Sequence, residues 1–380
     1  MQNLPPKIYF PGLNGLRFVA AFLVVVNHIE TTKYHSGYPN YMDYPFLTSI
    51  GGLSVTLFFV LSGFLITYLL LQEKEHSGFI DIKKFYIKRI LRIWPLYYLI
   101  VIITFFILNK IDFFFLPQLS DSVYENSGTK LFLFLLILPN IAAVIFPSIP
   151  YLYHTWSIGI EEQFYLIWPW VIRYTTHYLK IFLIIIVTFI TIAASLRFTA
   201  NHLDEVTNNP ILIKSIRDIS SCFSMFRINA MAIGGIGAWL LYYKKETVLK
   251  LLYRKELQWA TIVLIILLFI MGPNIKLVKH EFYSVLFCII ILNLASNPLV
   301  ILRLENKALN FLGRISYGIY MYHPFVIALS IGILKQLKII PLNTHIFDFI
   351  LYPMTFIITI ALAGVSYYSF ENRILKLRER

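Results

Sequence analysis

Charge is what this sequence is short of. Asp, Glu, Lys and Arg make up only 14% of its 380 residues, where a soluble globular domain carries about a quarter. Acidic residues are the scarcer sign, 20 against 33 Lys plus Arg, so an acidic disordered chain is excluded. Cysteine is nearly absent. Cys222 and Cys288 stand far apart with no CxxC spacing, which excludes a disulfide framework or a thiolate metal centre. No segment repeats at a fixed period, and none is of low complexity. No small-residue cleavage site follows the first apolar run, which carries Asn27 and His28, so it reads as an uncleaved first helix.

Apolar residues are what the chain has in abundance: 58% are hydrophobic and 17% aromatic, with a mean hydropathy of +0.70. They come in long runs, as at residues 181–192 and 261–271, not in alternation. This predicts an all-α polytopic integral membrane protein, a single membrane-embedded domain over residues 1–380. About ten spans are expected, near residues 15–33, 51–71, 90–109, 158–176, 180–197, 226–243, 257–273, 281–297, 314–334 and 347–371. An eleventh apolar segment, residues 130–146, is broken at Pro139-Asn140. If it does not cross, and the N-terminus is inside, 22 of the 33 basic residues fall in cytoplasmic loops. If it crosses, the clusters at residues 244–255 and 373–380 are placed outside. Ten spans with both termini cytoplasmic therefore fit best, with residues 130–146 re-entrant or lying on the outer surface. The excess of basic charge follows from this topology and implies no nucleic acid.

Ionisable side chains at membrane depth are costly and mark a function unless packing satisfies them. Arg17 and His28 are 11 residues apart on the first span. At about 100° per residue they share one face, about 16 Å apart along the axis. The plainer alternative has Arg17 snorkelling to headgroups and His28 satisfying a packing hydrogen bond. Arg89 and Arg92 lie one turn apart at the cytoplasmic start of the third span. Such a pair either grips phosphates bidentately or anchors the helix. His154-Thr-Trp156-Ser157 leads into Glu161-Glu162-Gln163-Phe-Tyr165. Paired carboxylates at the mouth of a span are expensive unless they meet a polar site, and Glu161 can orient a histidine. Ser316, Tyr320 and His323 recur at helical spacing, as one stripe of a site or as part of an aromatic belt. Arg227 opens the sixth span, and Gly234, Gly235 and Gly237 behind it serve close helix packing.

Taken together, these segments resemble the membrane acyltransferase-3 family, multi-span enzymes that modify bacterial surface glycans. The matching motifs run in order. They are Arg17 with ten residues to His28, then Leu57-Phe-Phe-Val-Leu-Ser62-Gly63-Phe64, then Arg89-x-x-Arg92-Ile-x-Pro95-x-Tyr97. Trp156-Ser157-Ile-x-x-Glu161-Glu162-Gln163-Phe-Tyr165, Ser316-Tyr317-Gly-Ile-Tyr320-x-Tyr322-His323 and Phe370-Glu371-Asn-Arg373 follow. Two departures stand out. Thr56 replaces an Asp that family members often carry, and the last motif lacks a Pro. The resemblance is to the stand-alone form without an SGNH hydrolase-like domain.

The resemblance implies transfer of an acyl group, commonly acetyl, from cytoplasmic acyl-CoA. The acceptor is a hydroxyl of a cell-envelope glycan or glycolipid at the extracytoplasmic side of the bacterial inner membrane. His28 and Glu161 are then the catalytic residues, His28 as base or acyl carrier and Glu161 as the group fixing its tautomer. Arg17, Arg89 and Arg92 hold the phosphates of acetyl-CoA or another acyl-CoA. Trp156, Ser157, Tyr165, Arg227, Ser316, Tyr320 and His323 are candidate substrate contacts, and no metal is expected. The rival reading is a transporter or flippase in which Arg, His and Glu form a proton or substrate pathway. A non-catalytic scaffold leaves Arg17, His28 and Glu161 in lipid without a reason.

Overall fold

The computed structural model describes residues 8–114, 125–271, 279–338 and 344–377. These residues form helices, turns and loops, with no strand among them. In lipid a helix satisfies its backbone within itself, which is why apolar runs of this length adopt it. In chain order the helices are α1 (Leu13–His35), α2 (Pro45–Ser77), α3 (Ile82–Phe106), α4 (Ser127–Leu135), α5 (Pro139–Ile145) and α6 (Trp156–Tyr174). Then come α7 (Tyr178–Val206), α8 (Pro210–Met225), α9 (Ile228–Tyr242), α10 (Glu246–Leu252) and α11 (Lys255–Met271). The last are α12 (Lys279–Ser296), α13 (Lys307–Arg314), α14 (Ser316–Gln336), α15 (Thr344–Ser366) and α16 (Asn372–Lys376).

Among the described residues, eight helical stretches are long and apolar enough to cross a membrane: α1, α2, α3, α12, α14, Tyr178–Leu203, Pro210–Tyr242 and Ile346–Lys376. The other two expected spans are α6 and α11. Helix α6 is helical throughout, but Glu161, Glu162 and Arg173 interrupt its nineteen residues. Helix α11 is apolar, with seventeen described residues. The segment at residues 130–146 forms the nine-residue α4 and the seven-residue α5. Neither approaches the 20 or so residues that a crossing needs. Ser122, in the loop that the ten-span topology puts outside after the third expected span, lies beyond the described residues.

The chain divides into two compact units. One comprises the described residues of Asn14–Ser54, Lys83–Ser157 and Glu305–Arg380. In it α14 packs along α15, and Phe22 of α1 stacks on Phe356 at 4.6 Å. Helix α3 holds α4 through Tyr97 and Tyr98, whose hydroxyls donate to the carbonyls of Phe134 (2.9 Å) and Leu135 (2.8 Å). These bonds satisfy the frayed end of a helix too short to stand alone.

The other unit comprises the described residues of Met1–Leu13, Val55–Ile82 and Ile158–Leu304. Its centre is the contact of α2 with α9. A Cβ at Gly63 would overlap the Met231 carbonyl, and one at Gly234 would overlap that of Val60. Only glycine lets two helix backbones approach so closely. Trp168 of α6 donates to Thr67 Oγ1 at 2.8 Å. Helix α7 exposes Leu183, Ile184 and Val187, as a lipid-facing surface requires.

Candidate active site

Three histidines meet in the first unit. His28 projects from α1, His154 from the turn before α6, and His323 from α14. The His28 and His323 rings lie nearly parallel, 14° apart, with His28 Nδ1 2.6 Å from His323 Nε2. The His154 ring stands edge-on to His323 and to Tyr320, each at 5.1 Å. Tyr153 stands edge-on to His28 at 4.9 Å. His154 and His323 are 1% and 0% exposed, whereas His28 is only half-buried. Of the three rings, His28 is the one left partly exposed.

The hydrogen bonds fix the tautomers. Pro324 lies inside α14 and offers no N–H to the Tyr320 carbonyl. His323 Nδ1 turns back onto the carbonyls of Ile319, at 3.3 Å, and Tyr320. A carbonyl only accepts, so Nδ1 of His323 carries the proton. In neutral His323, Nε2 is then an acceptor, and the proton of the shared bond belongs to His28 Nδ1. This leaves Nε2 of His28 with the lone pair. That is the tautomer a general base requires.

Neighbouring residues support the cluster. Thr32 donates to the His28 carbonyl at 2.7 Å, which satisfies its hydroxyl inside an apolar helix. Tyr320 donates to the His154 carbonyl at 2.7 Å, and its hydroxyl lies 2.7 Å from Ser157 Oγ. Ser316 begins α14 and donates to the Gly313 carbonyl at 2.8 Å. Trp156 begins α6 and is half-buried. Burial pushes the His154 imidazole well below the usual histidine range, with His28 adding to the effect. Both its ring nitrogens are buried without a hydrogen-bond partner among the described residues.

The three arginines expected to hold a donor belong to the same unit. Arg17 lies half-buried near the start of α1 and donates to Asn14 Oδ1 at 3.3 Å. Arg89 is half-buried with its guanidinium 5.4 Å from the Phe85 ring. Arg92 is exposed and within electrostatic reach of Glu371. Helix α1 is continuous from Arg17 to His28, so the expected separation of about 16 Å along one face holds.

One group in this unit had no place among the expected site residues. Lys33 Nζ lies 2.8 Å from Glu30 Oε1 and 2.6 Å from Asp348 Oδ1, and neither Glu30 nor Lys33 is exposed. Tyr352 donates to Glu30 at 2.6 Å, as does the Tyr41 backbone N–H. Glu30 and Lys33 stand three apart on one helix, which is the signal; Asp348 is more than 300 residues away, and no local pattern reveals it.

The remaining expected residues belong to the second unit. Glu161 Oε1 accepts from the hydroxyls of both Ser62 and Tyr165, which lie 3.2 Å from each other. Its partners are thus hydroxyls, while the partner of His28 Nδ1 is His323. Arg227 donates to Thr56 Oγ1 at 2.7 Å, and that hydroxyl lies 3.0 Å from His280 Nδ1. Asn229 donates to Glu281, the carboxylate acting on Arg227. His280 is a partner that the sequence pattern did not single out. Among the described residues, no group of three or more His, Cys, Asp or Glu is arranged to hold a metal.

Residues 10–364 match the family described as an acyltransferase domain. The chain is 27% identical over 391 residues to the O-acetyltransferase OatA of Staphylococcus aureus (strain NCTC 8325 / PS 47). That match covers 99% of this chain and 59% of the relative. It is 30% identical over 165 residues to the peptidoglycan O-acetyltransferase OatA of Listeria monocytogenes serovar 1/2a, covering 42% of this chain and 24% of the relative. The chain thus spans about three-fifths of the length of the staphylococcal relative. No solved structure matches it.

Proposed function

The chain belongs to this acyltransferase family, and on that footing we propose that it transfers acetyl from acetyl-CoA to a hydroxyl of a cell-envelope glycan or glycolipid. The donor binds from the cytoplasmic side of the bacterial inner membrane and the acceptor from the other side, with both termini cytoplasmic. The observation that carries the reading is the bond of His28 Nδ1 to His323, which leaves the half-buried His28 with Nε2 as its base. Nε2 takes the proton of the acceptor hydroxyl as that oxygen attacks the thioester carbonyl. The carbon–sulfur bond breaks, and the imidazolium returns the proton to the departing thiolate. The products are an O-acetyl ester and free coenzyme A.

His323 then takes the part that a carboxylate plays in a triad, holding the imidazole in one tautomer. Arg17, Arg89 and Arg92 supply cations for the donor phosphates. The pantetheine arm bridges the axial distance of about 16 Å from Arg17 to His28. Ser157, Ser316, Trp156 and Tyr320 are substrate contacts in this reading, as are Tyr165 and Arg227. Glu161, the carboxylate expected to fix that tautomer, is held by Ser62 and Tyr165 and takes no part in this proton transfer.

The test is His28→Ala in nanodiscs, with transfer from labelled acetyl-CoA and donor binding measured on the same preparation. Turnover should fall about a hundredfold or more, the usual size of general-base loss, with donor affinity kept. Near-normal transfer would overturn the mechanism.

A further inference from the structure

Helix α1 meets α15 at two places, and His28 stands between them. Before His28, Phe22 stacks on Phe356 at 4.6 Å. Beyond His28, Tyr352 donates to Glu30 at 2.6 Å, and Lys33 Nζ lies 2.6 Å from Asp348 Oδ1 and 2.8 Å from Glu30 Oε1. Phe22 with Phe356, Glu30 with Tyr352 and Lys33 with Asp348 run in opposite directions along the two helices, as an antiparallel contact requires. Phe22 and Lys33 are 11 residues apart. At about 100° per residue they share one face of α1, about 16 Å apart. His28 lies about 120° round the helix from Phe22. One face of α1 is thus committed to α15, and another to His323 on α14.

The two contacts differ in kind. The ring pair buries apolar area, a force without direction. The ionic group is directional. Glu30 is held at Oε1 by Lys33 and Tyr352 and at Oε2 by the Tyr41 backbone N–H, and the Lys33 ammonium stands 5.0 Å from the centre of the Tyr41 ring. A lysine near a helix end ordinarily snorkels to water, but the side chains of both Lys33 and Glu30 are 0% exposed. Taking such charges out of water is costly, and apolar side chains of similar volume hold helices together as well or better. Stability alone therefore does not account for the group. Fixing a register is the best-attested use of buried charge.

The histidine pair needs that precision. A side chain reaches about 5–6 Å from the helix axis, so rotating α1 by about 20° carries the His28 ring about 2 Å. The His28 bond to His323 measures 2.6 Å, and no hydrogen bond survives at about 3.6 Å. His323 is keyed to α15 in turn: α14 packs along α15, and the Tyr322 hydroxyl donates to Ser366 Oγ at 2.9 Å. Both partners take their place from one helix. We propose that Lys33 is a positioning residue for acetyl transfer. Through Glu30 and Asp348 it fixes the rotation of α1 on α15, and so keeps His28 Nδ1 within reach of His323 Nε2. The link to transfer rests on the acetyl-transfer reading above; the placing of His28 does not.

The test is the neutral variant Glu30→Gln/Lys33→Met/Asp348→Asn in nanodiscs, which strands no charge. Nitrogen-15 spectra of labelled histidine show which ring nitrogen of His28 carries the proton, and His28→Ala identifies its signals. The proton should sit on Nδ1 in the wild type and be shared between the two nitrogens in the neutral variant. There kcat should fall about a hundredfold, as for a misplacement of about 1 Å, with donor KM constant because the Phe22 contact still holds the Arg17 end of α1. Phe356→Leu weakens the same helix contact without touching the ions, and should leave the proton and kcat unchanged; a loss equal to that of the neutral variant would make the role merely structural. Tyr352→Phe removes one bond, strands no charge and gives the same reading should the triple replacement not fold. A proton that stays on Nδ1 overturns the proposal, whatever kcat does. A proton that moves while kcat holds upholds the placing of His28 and overturns the acetyl-transfer reading instead. A wild type with the proton on Nε2 overturns both.

Discussion

Replacing His323 by Phe removes one atom that the mechanism needs and keeps a ring of similar bulk in the stack. The acceptor lost is Nε2, 2.6 Å from His28 Nδ1. A buried donor left without its acceptor costs about 1–3 kcal/mol. Here part of that cost is avoided by moving the proton to the other nitrogen of His28, which puts the base in the wrong tautomer. At about 1.4 kcal/mol per tenfold, the productive fraction falls by roughly fivefold to 150-fold. His323→Gln retains a side-chain carbonyl that can accept the same proton, so it should recover most of the loss. The assay is kcat and donor KM for acetyl transfer on wild type, His323→Phe and His323→Gln. We expect kcat to fall in the Phe variant, recover in the Gln variant, and donor KM to stay constant. A Phe variant with wild-type kcat, or equal losses in both variants, would refute the tautomer argument.

Lys33→Met leaves the buried Glu30 and the part-buried Asp348 without their cation, and should destabilise the protein by about 3–5 kcal/mol in a detergent melt; an unchanged midpoint would show that the cluster is dispensable. Arg92→Lys keeps the charge but loses the planar fork, so donor affinity should weaken if the pair grips phosphates; unchanged affinity would make Arg92 a plain anchor. Thr56→Val takes away the oxygen 2.7 Å from Arg227 and should cost about 1–3 kcal/mol, whereas Thr56→Ser should be neutral; equal stability of both would deny Thr56 its role as acceptor.

Periodicity reveals the faces of helices well and their partners poorly. Arg17 and His28 share a face because α1 is unbroken from Leu13 to His35, and the arithmetic of about 100° per residue needs nothing else. The close approach at Gly234 is also legible, since small residues in an apolar helix have few other uses. Helix α8 was not expected. Its sixteen residues hold Lys214, Arg217 and Asp218 and none is buried, so they show no uninterrupted apolar run and read as an outer loop. The motif resemblance would put Asp at position 56, where this chain has Thr. The structure supplies what that departure leaves open: a hydroxyl at position 56 for Arg227, and a carboxylate at Glu281 on a helix more than 200 residues away.

The histidine pair lies between these extremes. Its partner atoms come from opposite ends of the chain, so no local pattern could join His28 to His323. Yet the proton positions rest on a signal that is local. Proline at 324 has no N–H for the Tyr320 carbonyl, and Nδ1 of the histidine before it donates to the neighbouring Ile319 carbonyl at 3.3 Å. In this chain Nδ1 of His323 is thereby committed to its own helix backbone. The other nitrogen, Nε2, is left facing outward as an acceptor. Whatever imidazole it meets must donate to it, and in donating keeps its own Nε2 for chemistry.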